Sequence, residues 1–206
     1  MDSGITVTGT GQATAPADLL RLTLSVGQDA ADVATAVAEV AERTDAVTAA
    51  LKEQGVTLAD IQTSSVNVHP QYAESMSVAG YRASHSMTVT TRDLTGFGRL
   101  LNAAVQAVGN SLGLDYLQFD VEDKSALLDR ARELAFAQAR QKADQLAGLA
   151  GQTIGSIAAV AETYGHAPIR EMALAKADSA GFAPEMAVTP GEQTIEVSLE
   201  IRWNWS

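Results

Sequence analysis

The segment Gly109-Asn110-Ser111-Leu112-Gly113 spells G-x-S-x-G, the spacing of a nucleophilic serine on a sharp turn. That chemistry needs a strand before the serine and a helix after it, so that the hydroxyl stands above a sheet. Here the periodicity predicts the reverse, a helix closing at Gly109 and a strand opening after Gly113. The two glycines therefore read as a helix stop and a turn, and a hydrolase built on Ser111 is the weakest functional reading. Gly9-Thr10-Gly11 resembles the opening of a dinucleotide-binding loop, but Thr14 stands where the third glycine belongs and a strand is predicted where a helix should follow. It reads as a turn.

The three histidines, His69, His85 and His166, fall in no metal-ligand spacing, and the chain has no cysteine. By alternation His85 shares the apolar side of its strand with Tyr81, Ala83, Met87 and Val89. Asp120, Glu122 and Asp123 form an acidic group at the start of a predicted helix, where carboxylates favour the helix N-terminus. No metal and no cofactor is implied. Arg82 stands between Tyr72, Tyr81 and His85 in the sequence, and a guanidinium there would suit a carboxylate. These four residues are assigned to a pocket for a small molecule or peptide.

The elements that must position these residues follow from hydrophobic spacing. Ile5 to Gly9 and Leu20 to Val26 read as strands joined near Pro16. A helix from about Asp29, capped by Asp29 or Asp32 and stopped by Gly55, carries the stripe Val33, Val37, Val40, Thr44, Val47 and Leu51. Its flanking alanines Ala34, Ala38 and Ala41 would let it approach a sheet. Ile61 to His69 is a strand ended by Pro70, and Tyr81 to Thr91 is the next. Asp93 caps a second helix with Leu94, Phe97, Leu101, Ala104, Val105 and Val108 inward. Leu117, Phe119 and Val121 alternate on a strand. A third helix, about 124–150, aligns Leu128, Ala131, Ala135, Ala139, Ala143, Leu146 and Ala150 before Gly151. Ile154 to Ala161 reads as a buried strand, and Ile195, Val197, Leu199, Ile201 and Trp203 share one face of the last. Half-polar alternation predicts an α+β fold: a mainly antiparallel sheet with helices on one face. Its core has the ferredoxin-like split βαβ order with added strands. Residues 1–206 are expected to form one domain.

Residues 164–191 lose periodicity and carry Pro168, Pro184 and Pro190. An aperiodic excursion of that length serves function, assembly or mobility. Its Tyr164, Met172, Phe182 and Met186 are assigned as oligomer contacts, and the chain is expected to be a homo-oligomer. The charge balance, 14 Lys plus Arg against 25 Asp plus Glu for a net −11, repels phosphate backbones, so no nucleic-acid partner is expected. No run reaches the ~18 apolar residues of a membrane helix, so no membrane insertion is expected. The opening Met1-Asp2-Ser3-Gly4-Ile5 has neither a basic nor an apolar leader segment. As numbered, the chain reads as cytoplasmic, with export as the alternative if a leader was removed.

The order and spacing of several short segments resemble the SIMPL-domain family. They begin with Ile5-Thr6-Val7-Thr8-Gly9-Thr10-Gly11 and Ala15-Pro16-Ala17-Asp18. Gly55-Val56, Asp60-Ile61-Gln62-Thr63-Ser64, Pro70-Gln71-Tyr72 and Gly80-Tyr81-Arg82-Ala83-Ser84 follow. Further along come Val89, Arg92-Asp93-Leu94, Ala139-Arg140-Gln141-Lys142-Ala143, Leu146-Ala147, Gly155 and Pro190-Gly191. The resemblance implies an α+β fold with no established catalytic residues. It also implies kinship with bacterial periplasmic or surface immunogenic proteins linked to stress tolerance, some of them ring-like oligomers, and with an animal kinase-associated adaptor. The expected function is thus a non-enzymatic self-assembling scaffold, with the binding module as its rival.

Overall fold

The computed structural model describes residues 4–73, 77–163 and 189–206. Its elements follow the predicted order: β1 (Gly4–Pro16), β2 (Leu19–Ala30), α1 (Val33–Glu53), β3 (Ile61–Tyr72), β4 (Val78–Thr91), α2 (Phe97–Val108), β5 (Leu112–Asp120), α3 (Ser125–Leu149), β6 (Ile154–Thr163) and β7 (Glu192–Trp205). The fold is α+β with antiparallel strand pairs throughout. The added strands do not extend the core sheet; they build a second one. The two sheets belong to two units of the chain.

One unit holds the sheet in the order β3-β4-β2-β5, with α1 and α2 on one face. This is the split βαβ arrangement: β4 inserts between β2 and β3. Strand β2 alternates as predicted, and Leu20, Leu22, Leu24 and Val26 are fully buried against Val47 and Leu51 of α1 and Phe97, Leu100 and Ala104 of α2. Asp32, not Asp29, caps α1 by accepting from the Thr35 N–H at 2.9 Å. The inward stripe of α1 opens with Ala36 rather than with Val33 and Val37, which are exposed. Ala36 and Val40 lie against Ala30 and Ala83, where a small side chain lets the helix close on the sheet. Ala34, Ala38 and Ala41 face solvent instead.

Asp93 does not cap α2, whose N-cap position is Gly96; its carboxylate closes a turn by accepting from the Thr95 N–H and hydroxyl. The helix consequently starts later, and Leu100 takes the fully buried place expected of Leu101 while Val105 is exposed. Pro70 does not end β3. The strand continues to Tyr72 because β3 is the edge of its sheet, where a missing N–H costs no ladder bond.

The other unit holds the sheet β1-β7-β6 and α3. Val197, Leu199, Ile201 and Trp203 of the central β7 are buried as expected. Gly9-Thr10-Gly11 is not a turn but the middle of β1. A Cβ at Gly9 would stand 2.1 Å from the Ala135 carbonyl oxygen, and one at Gly11 would stand 2.0 Å from that of Ala131. The helix backbone therefore lies directly on the strand. Ala131, Ala135, Ala139, Ala143 and Ala147 form its buried stripe, and Leu146 is exposed. Four helical residues advance about 6 Å and two strand residues about 6.7 Å, so alanines every fourth place meet glycines every second. β6 is an edge strand with Ile157 and Val160 exposed, contrary to the buried strand expected, because among the described residues only β7 pairs with it.

Candidate functional site

The predicted pocket residues do not converge. Tyr81, His85 and Arg82 all lie on β4, whose side chains alternate between faces. His85 turns to the helix-covered face, where Nδ1 meets the Thr44 hydroxyl of α1 at 3.1 Å and Nε2 the Thr63 hydroxyl of β3 at 3.0 Å. A hydroxyl can donate or accept, so both ring nitrogens are satisfied in either tautomer. Arg82 turns to the opposite, open face and pairs with Asp29 of β2 at 3.1 Å. Tyr72 is at the end of β3 and exposed. The assigned oligomer contacts Tyr164, Met172, Phe182 and Met186, together with His166, lie outside the described residues.

Ser111 sits in a short turn (Gly109–Ser111) between α2 and β5, the inverse of a nucleophile's context, as its spacing suggested. Its hydroxyl accepts from the Arg43 guanidinium and donates to the Gln28 amide oxygen at 3.3 Å. Both neighbours hold the oxygen in place, and neither is a base that would deprotonate it. Of the acidic group, Asp123 accepts from the Ser125 hydroxyl and N–H, and these bonds hold its carboxyl below the ordinary aspartate range. Asp120 is buried with Arg21 at 3.6 Å. Among the described residues no three His, Asp or Glu side chains gather as metal ligands.

What the fold does assemble is an open groove of about 340 Å³ on the helix-free face of β2, β4 and β5. Ser25 and Gly27 of β2, Arg82, Ser84 and Ser86 of β4, and Gly113 and Asp115 of β5 line it, together with Asn110 and Ser111 of the turn before β5. The pairing of β2 with β5 slips between Thr23 and Leu24, which pair with Tyr116 and Leu114. Asp115 is the extra residue of this bulge, and its carboxylate accepts from the Ser25 hydroxyl at 2.8 Å. Bulges re-aim side chains in a way that alternation cannot show, so Asp115 escaped the sequence reading. The polar alternation of Ser25 with Gly27 and of Arg82, Ser84 and Ser86 was present in the sequence, and marks the open face.

Residues 5–203 match a family described as "SIMPL: Protein of unknown function (DUF541)". The chain is similar to the 26 kDa periplasmic immunogenic protein of Brucella melitensis, with 31% identity over 210 residues that cover 96% of this chain and 82% of that protein. Its counterpart in Brucella abortus is 30% identical over the same coverage. The Escherichia coli K12 protein named "Uncharacterized protein YggE" is 28% identical over 205 residues, again 96% and 82% of the two chains.

Proposed function

Since the chain belongs to the SIMPL family, we propose that it is a non-enzymatic, self-assembling scaffold of the periplasm, serving the stress tolerance that the family resemblance implies. The Brucella relatives are named periplasmic, which favours export over the cytoplasmic placement read from Met1-Asp2-Ser3-Gly4-Ile5. The arrangement of Ser111 between Arg43 and Gln28 gives the hydrolase alternative no support.

The observation that carries self-assembly is the edge of β3, with which no further strand pairs among the described residues. All but Ile61 of its residues are exposed, Val66 at 62% and Tyr72 at 65%. An unpaired edge of this length offers a row of N–H and C=O groups to another strand. A chain of net charge −11 repels its own copies nearly everywhere. Yet β3 contains no acidic residue, and residues 61–92 contain one, Glu74, of the 25 in the chain. Copies can therefore meet along this hairpin at low electrostatic cost.

Sedimentation velocity tests the reading. At tens of micromolar the purified protein is expected to sediment as an oligomer, more completely as salt screens the remaining repulsion. Val66→Lys with Val68→Lys is expected to return it to monomer without lowering its melting temperature. A monomer under all these conditions overturns the proposal.

A further inference from the structure

The groove on the helix-free face is bounded by opposite charges whose hydrogen-bonding capacity is only partly used. At one end Asp29 takes Nη1 of Arg82 at 3.1 and 3.2 Å. The rest of the guanidinium lies over Gly27, where an added Cβ would stand 3.1 Å from Nη2. Nε and Nη2 have no hydrogen-bond partner among the described residues. At the other end Oδ1 of Asp115 accepts from Ser25 at 2.8 Å, and Oδ2 has no such partner there. Gly27 and Ser25 are two residues apart on β2, so the two charged ends are separated by about 7 Å. Ser84 and Ser86 of β4, which pair with Gly27 and Ser25, line the same groove.

The geometry points to a binding site for a small zwitterion, a molecule whose carboxylate and ammonium groups are a few ångströms apart, as in a free α-amino acid. The carboxylate meets the two open guanidinium N–H groups in the side-by-side fashion that Arg favours. The ammonium group meets Oδ2 of Asp115, and the serine hydroxyls fill the remaining bonds. A plain anion is repelled by Asp29, Asp115 and the charge of the chain, and a plain cation meets Arg82. The absence of a side chain at Gly27 is what lets the guanidinium lie on the floor of the groove. This site is independent of the β3 edge and of assembly.

Titration of the full chain with L-alanine, L-serine and L-glutamate, followed through backbone amide NMR shifts, tests the site, with acetate and methylammonium as single-charge probes. Saturable shifts are expected at residues 25–27, 84–86 and 113–115 with at least one amino acid, and not with either single-charge probe. Arg82→Gln and Asp115→Asn should each weaken binding tenfold or more. Gly27→Ala crowds only the end of a flexible side chain, so it should fold normally and still block binding. His85→Ala, on the other face, should leave binding unchanged. The proposal is overturned if none of the three amino acids gives saturable shifts below tens of millimolar. It is equally overturned if acetate binds as well as alanine, or if Gly27→Ala and Asp115→Asn bind normally.

Discussion

Oε1 of Gln138 accepts the backbone N–H of Thr10 at 2.8 Å, joining a helix side chain to the outer rim of an edge strand. One turn further on, Nζ of Lys142 donates to the Thr8 carbonyl at 2.9 Å. Among the described residues β1 pairs with β7 along one side only, so Thr8 and Thr10 would otherwise present bare backbone groups. Residues 138 and 142 share a face of α3, and that face closes the edge against stray pairing. Among the described residues β3 has no comparable cover, which is why the assembly reading rests on it.

Gln138→Ala should therefore expose the Thr10 amide. Losing one hydrogen bond of about 1 kcal/mol corresponds to roughly fivefold faster hydrogen exchange at that amide if exchange proceeds through local opening. Amide exchange measured by NMR checks this. An unchanged rate at Thr10 would mean that the helix gives the strand no protection there.

Three glycines separate close packing from freedom. Gly9→Ala and Gly11→Ala each drive a methyl group into the α3 backbone, and neither backbone can yield without breaking its own hydrogen bonds. Each should cost at least about 3 kcal/mol or prevent folding. Gly148→Ala, in the last turn of the same helix, meets nothing within 4 Å and should stabilise by about 0.5 kcal/mol. Urea denaturation of the three variants gives the ranking directly.

How far the sequence reveals this molecule depends on whether a residue's role is local. The stripe Leu20, Leu22, Leu24 and Val26 is visible because alternation needs only its own strand. The stops at Gly55, Gly109 and Gly151 are visible because each sits at positive φ, 92°, 57° and 68°, where glycine is favoured. Gly9 and Gly11 are opaque because their partner helix lies more than a hundred residues away. The exposure of Ile157 and Val160 is likewise hidden, since apolar composition does not tell an edge strand from a central one. At the site, alternation correctly put His85 with Tyr81 and should have separated Arg82 from both. Asp115 required a bulge that no periodicity announces.

The contact of His85 with Thr44 ties β4 to α1. Thr44 is 7% exposed, and removing the imidazole leaves its hydroxyl short of a partner inside the unit. His85→Ala should destabilise by about 1–3 kcal/mol. Adding Thr44→Val, which removes the orphaned hydroxyl at nearly constant shape, should recover part of that loss. A double-mutant cycle by chemical denaturation measures the coupling, and simple additivity would show that the two side chains do not depend on each other.

The turn before α2 sets a pH dependence. The Thr95 hydroxyl, donating to Asp93 at 2.8 Å, is the main cause holding that carboxyl below the ordinary aspartate range, and the Arg99 guanidinium at 2.8 Å adds to it. A carboxyl depressed in the folded state stabilises the protein above its unfolded pKa, near ~4, and that contribution fades as the pH falls through the lower folded value. Asp93→Asn cannot ionise, so its stability should fall less steeply than that of the parent as the pH drops below about 4. Thr95→Val should flatten the same acid limb to a lesser degree, because Arg99 still faces the carboxylate. Both variants should be less stable than the parent near neutrality and should approach it in acid. Melting temperatures recorded across this range decide the matter: parallel curves for parent and Asp93→Asn would show that the turn carries none of the acid sensitivity.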